Sequence, residues 1–129
     1  MNNTTVVELT EFIGKTLKSV NVINDEYNIK IIFEFDTGQK YKMYHEQFCC
    51  ADVYIEDITG NMQNLIDREL IMAEQVQECG ENEHGTFTWT FYKLATSLGY
   101  VTIRWYGESN GYYSEEVWIE EIYEGGITW

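Results

Sequence analysis

The chain has 129 residues and a mass of 15.2 kDa, with 44% hydrophobic, 16% aromatic and 23% charged residues. That length fits a single domain, 1–129, around one core, and the aromatic content excludes a disordered chain. Against 8 Lys and Arg stand 22 Asp and Glu, a formal charge of −14 with a pI near 4.3, so the field repels phosphate chains and anionic lipid and favours basic partners.

In chain order, Val6, Val7, Leu9, Phe12 and Ile13 have the spacing of a short amphipathic helix, capped at Thr4 or Thr5 and stopped at Gly14. From Thr16 the period changes to two: Leu17, Ser19, Asn21 and Ile23 predict one strand, and Ile29, Ile31, Phe33 and Phe35 a second. Asp36-Thr37-Gly38-Gln39 is a turn that returns the chain into a strand over 40–44. Residues 52–58 predict a further strand ended by Gly60, 61–66 a helical turn, and 70–78 either a helix or a strand. The stretch 78–85, with two Gly and three Glu, predicts the most exposed loop. Strands follow over 87–94 and 100–106, and Ser109-Asn110-Gly111 turns the chain into a last strand over 112–122. The expected fold is α+β: one antiparallel sheet with one or two short helices.

Four constellations could carry chemistry. Three Cys exclude a complete disulfide framework, and with no apolar run of membrane-spanning length and no basic, apolar leader the expected location is the cytoplasm, where thiols stay reduced. His45-x-x-x-Cys49-Cys50 supplies three borderline-soft ligands near a strand end, and Cys79 is the expected fourth ligand of a structural zinc site; His84, Glu46, Glu56 and Asp57 are the alternatives. Buried free thiols beside an ordinary His explain the same residues without metal. A Cys49 or Cys50 nucleophile with His45 as base is disfavoured, because Glu46, Asp52 and Glu56 would raise the thiol pKa.

Glu115, Glu116, Glu120, Glu121 and Glu124 crowd the last predicted strand and the tail, and on a sheet such a row would offer spaced carboxylates to a basic groove; a solvated face is the plainer reading. The whole-molecule charge of −14 exceeds the magnitude of about 2–8 that solubility asks of a small domain. Residues 104–114 set Arg104 among aromatics that could stack a nucleotide base. Cross-strand aromatic pairs, with Arg104 held by a carboxylate, account for them more simply.

Over Tyr41-Lys42-Met43-Tyr44-His45-Glu46-Gln47-Phe48-Cys49-Cys50, then Val53-Tyr54-Ile55-Glu56-Asp57-Ile58 and Gly60, the chain resembles a family of small bacteriophage and prophage proteins catalogued as a domain of unknown function. Residues 88–96 and 99–114, the latter including Arg104-Trp105-Tyr106-Gly107-Glu108-Ser109-Asn110-Gly111, resemble its second signature, and the likeness runs over about 13–117. What it implies is a phage origin, a recurring His-x-x-x-Cys-Cys cluster and no established catalysis. Phe48 departs from the acidic residue the family tends to carry there, and the tail after Val117 lies outside the likeness.

Small acidic phage proteins of this general look include inhibitors of bacterial defence, among them type II anti-CRISPR proteins that engage Cas9 and interfere with DNA loading. The expected function is therefore a non-enzymatic acidic inhibitor in the host bacterial cytoplasm, with a basic surface of Cas9 as partner and zinc as a structural ion. The alternatives are a sponge for a nucleotide second messenger, or a metal-stabilised phage protein of another role.

Overall fold

The computed structural model describes residues 6–25, 28–45, 51–112 and 114–123. The expectation for residues 4 and 5 as a helix cap lies outside them. Eight strands appear among the described residues: β1 (Leu17–Asp25), β2 (Asn28–Phe35), β3 (Lys40–Tyr44), β4 (Ala51–Thr59), β5 (Met72–Asn82), β6 (Gly85–Thr96), β7 (Gly99–Ser109) and β8 (Trp118–Ile122). They form two four-stranded sheets, ordered β1-β2-β3-β8 and β4-β7-β6-β5, with every neighbour pair antiparallel.

The core lies between the sheets. Alternation sends Ile31, Phe33, Phe35, Tyr41, Met43 and Ile119 inward from the first sheet, and Val53, Tyr92, Leu94, Val101, Ile103 and Trp105 inward from the second, all in one buried cluster. The indole N–H of Trp105 donates to the Met43 sulfur at 3.4 Å, joining the two layers through a buried contact. β2 and β3 are joined by the expected turn, closed by a bond from the Gly38 N–H to the Phe35 carbonyl at 2.9 Å.

The fold is all-β and not α+β. Among the described residues the only helical pieces are two 3-10 turns, Leu9–Phe12 and Met62–Leu65. At three residues per turn Leu9 and Phe12 share one face, and both are fully buried, whereas Val6 and Ile13 are about half exposed. A single turn is enough to bury that pair, and a longer isolated helix would have to overcome the cost of nucleation with little further burial. The turn at 61–66 appears as expected, with the Asn61 side chain accepting from the Gln63 N–H at 2.9 Å.

Two further expectations fail. The stretch 78–85 is no loop: β5 runs through Asn82, only Glu83 and His84 turn, and Gly85 opens β6 opposite Asn82. β5 is an edge strand whose distal half is exposed on both faces, so no alternation marks it. The last strand is confined to 118–122 and pairs with β3, so the chain leaves the second sheet after β7 and crosses to the first. Residues 114–117 pass over Gly107, where a Cβ would stand 3.1 Å from the Glu115 Cβ and 3.0 Å from a Val53 methyl carbon. A glycine lets the crossing lie this close, since a side chain there would push its neighbours aside by a few tenths of an ångström.

Candidate functional site

The crossing at 114–117 builds the first of two surface features. Glu115 turns inward and is buried, and three hydroxyls donate to its carboxylate: Thr86 and Ser109 to Oε2, both at 2.6 Å, and Thr88 to Oε1 at 2.7 Å. Burial would raise its pKa, but these three bonds and the nearby His45 ring outweigh that and hold it below the ordinary carboxylate value. A carboxylate so fully satisfied is a structural anchor and a poor general base. Thr88 Oγ1 also lies 3.7 Å from Cys79 Sγ. Since Thr88 spends its one proton on Glu115, the Cys79 thiol is the donor to Thr88.

Around these residues the overhanging inner face of β5 and β6 forms an open groove of about 530 Å³, lined by Gln77, Cys79, Glu81, Thr86, Thr88 and Glu116 among others. His45, at the end of β3, is buried, stacked on Trp118 at 5.6 Å with the rings 7° from parallel. Its Nδ1–H donates to the Glu116 carbonyl at 2.5 Å, so in the neutral ring Nε2 is the nitrogen that carries the lone pair.

For the expected zinc site the structure gives half an answer. Among the described residues no three His, Cys, Asp or Glu side chains gather to hold a metal. Cys79, the expected fourth ligand, is an exposed thiol on a regular strand, and Cys49 and Cys50 lie outside the described residues. The tautomer of His45 is the one a metal-binding imidazole adopts when its other nitrogen is held by a carbonyl.

The expected row of carboxylates is not brought together. Glu115 is buried, Glu116 is exposed at the crossing, Glu120 accepts from the Tyr44 hydroxyl at 3.0 Å on the first sheet, and Glu121 accepts from Tyr123 at 3.3 Å. Glu124 lies outside the described residues.

The second feature is the outer face of the β4-β7-β6-β5 sheet. Register aligns Tyr54, Tyr106, Trp89 and Glu78 in one row across four strands, Asp52, Glu108, Phe87 and Gly80 in the row beside it, and Asp57, Arg104, Phe91 and Val76 on the other side. The rings touch one another: Trp89 to Tyr106 at 4.6 Å, Tyr54 to Tyr106 at 5.8 Å, Trp89 to Phe91 at 6.2 Å and Phe87 to Tyr106 at 6.3 Å between centroids. All five rings are half-buried. Gly80 lets Phe87 lie across β5, since a Cβ there would stand 2.5 Å from the ring. A shallow hollow of about 340 Å³ opens among Tyr54, Glu56, Asn82, Phe87, Trp89 and Tyr106.

Carboxylates hem these rings. Burial raises the Tyr54 pKa and Asp52, Glu108 and Glu56 raise it further; burial, the hydrogen bond to Glu108 and the charge of Glu108 do the same to Tyr106. Beside burial, it is this ring of carboxylates that acts on the two hydroxyls. Arg104 is held by Glu56, through Nε at 2.8 Å and a terminal nitrogen at 2.6 Å, with Asp57 at 3.7 Å, and its guanidinium carbon stands 5.6 Å from the Trp89 centroid. This is the carboxylate-paired arrangement and not a base-stacking site, and Trp105 belongs to the core. The sequence reading missed Tyr54, Phe87, Trp89 and Phe91. The signal was Phe87-x-Trp89-x-Phe91, three rings on one face of a strand whose other face, with Tyr92 and Leu94, already fills the core.

A family model described as a domain of unknown function, DUF7448, matches residues 10–119. The chain belongs to the DUF7448 family. The match covers both features and almost the same span as the resemblance drawn from the motifs, and the family description assigns neither an activity nor a source. No match to this DUF7448 chain was found among curated proteins or among solved structures. Among its described residues no helix is long and apolar enough to cross a membrane.

Proposed function

We propose that this DUF7448 protein works by binding and not by catalysis, docking the outer face of its second sheet on a cationic protein surface. The observation that carries the reading is the cluster of half-exposed rings, Tyr54, Phe87, Trp89, Phe91 and Tyr106, set among Asp52, Glu56, Asp57, Glu78 and Glu108. Aromatic area supplies contact energy, and the surrounding charge steers a basic partner and excludes acidic ones. Both grooves described above carry carboxylates, and among the described residues neither is lined by Lys or Arg, which serves a nucleotide second messenger poorly.

In its specific form, supported by the phage-type resemblance and the net charge, the proposal takes the partner to be the nucleic-acid-receiving surface of Cas9 in a bacterial host, with target-DNA loading as the step blocked. The test is complex formation with Cas9 at low and high salt, read beside DNA loading. Salt-sensitive binding that blocks loading, and that is lost when Trp89 and Tyr106 are replaced by Ala, supports it. No complex at low ionic strength defeats the Cas9 assignment. A structural zinc ion held by His45, Cys49 and Cys50 belongs to the same proposal, supported by the His45 tautomer. Elemental analysis should then find zinc and chelation should lower Tm; a metal-free protein with an unchanged melt defeats that part.

A further inference from the structure

The outer face contains the same arrangement twice, once filled by the protein itself and once not. In the filled copy the Arg104 guanidinium stands over Trp89 and is clasped by Glu56 and Asp57. Further along the strands, Tyr54 and Tyr106 in the row of Trp89, and Phe87 in the row beyond it, present rings beside Asp52 and Glu108, which are register partners on β4 and β7. There the rings and carboxylates stand together as they do around Arg104, but among the described residues no Lys, Arg or His pairs with Asp52 or Glu108. A hollow of about 340 Å³ opens beside these rings, lined by Tyr54, Phe87 and Tyr106 together with Trp89, Glu56 and Asn82, and it has room for a side chain.

The geometry points to this second copy as a receptor for an arginine side chain of the partner, its guanidinium laid on Tyr106 and Tyr54 and paired with Asp52 and Glu108. A planar guanidinium stacks on rings and donates two parallel bonds to a carboxylate, whereas an ammonium is a compact, strongly hydrated point charge. The face therefore discriminates arginine from lysine and does not merely collect positive charge. Tyr106 aids the pairing by donating its hydroxyl to Glu108 Oε1 at 2.9 Å, which fixes the carboxylate at the edge of the ring. The inference rests on reading this face as the docking surface, and it adds the chemistry of the contact.

The test uses capped hexa-arginine and hexa-lysine peptides titrated calorimetrically into the full chain at physiological salt. We expect hexa-arginine to bind about tenfold more tightly than hexa-lysine. Tyr106→Ala and, independently, the charge-only pair Asp52→Asn with Glu108→Gln should each reduce that ratio to near one, with melting curves confirming a folded chain. Equal affinity for the two peptides overturns the arginine assignment while leaving a docking face for cations in general. A preference that survives both variants also overturns it, because the contact would then lie elsewhere. Binding of neither peptide overturns the inference and the docking reading together.

Discussion

Two clusters of aromatic rings in this protein meet at overlapping centroid distances, although the inner rings stand edge to face or steeply tilted and the outer ones are partly stacked. Phe12, Phe33, Phe35 and Tyr41 meet at 4.9–5.6 Å between the sheets, mostly edge to face. Tyr54, Phe87, Trp89, Phe91 and Tyr106 meet at 4.6–6.3 Å on the outside of the second sheet. The first cluster is sealed, at 0–3% exposure, while the second stays half open and is bordered by charge. Ring spacing therefore does not separate a core from a recognition surface. What separates them is the second layer: the inner rings are covered by a sheet, and the outer rings stay half-exposed among the described residues.

The largest expected effect sharpens that contrast at the inner cluster. Phe12→Ala removes a ring that touches Phe33, Phe35 and Tyr41, and should destabilise the fold by about 3–5 kcal/mol in chemical denaturation. A loss under about 1 kcal/mol would mean that the inner cluster is no better packed than the outer one.

Glu115 comes next, since it pins the crossing between the sheets. Glu115→Ala strips three buried or half-buried hydroxyls of their shared acceptor and should cost about 2–4 kcal/mol. Its folded pKa is depressed, so the unfolded chain takes up the proton more readily than the native one. The stabilisation is complete above its ordinary value of 4.5 and fades as pH falls through that value toward the lower folded one. The Glu115→Ala protein should therefore lose less stability than the parent on acidification below pH 4.5, and parallel acid-unfolding curves would refute the anchor.

The smallest effect on stability belongs to the outer cluster. Trp89→Ala should lower stability by only about 1 kcal/mol, because its ring is half-exposed and its neighbours remain packed on one another. A loss approaching that of Phe12→Ala would assign the outer rings to folding and leave them no surplus for a partner.

Strands whose two faces have different fates could be read directly. β2, β3, β6 and β7 alternate between core and surface, and the turn at 36–39 lies where its residues predict. β5 could not be read, because beyond Ala73 both of its faces meet solvent and no hydrophobic period survives. The helix expected before Gly14 failed for a different reason: Leu9 and Phe12 fit an α-helical stripe and a single 3-10 turn equally well, and only the depth of the available core chose the turn. Of the expected site residues, His45 and Glu115 proved to be neighbours across the crossing, whereas Glu116, Glu120 and Glu121 dispersed over different surfaces.

Composition and alternation alone determined that this would be a folded, strongly acidic chain of antiparallel strands, because charge is a sum over residues and a strand's two faces are written at every second position. Tertiary structure alone decided which aromatic rows a second sheet would cover, which carboxylate would be drawn inside, and that the last strand would join the other layer. Those outcomes depend on contacts between residues far apart in the chain, such as Gly107 with Glu115 and Trp105 with Met43, whose pairing no local pattern encodes.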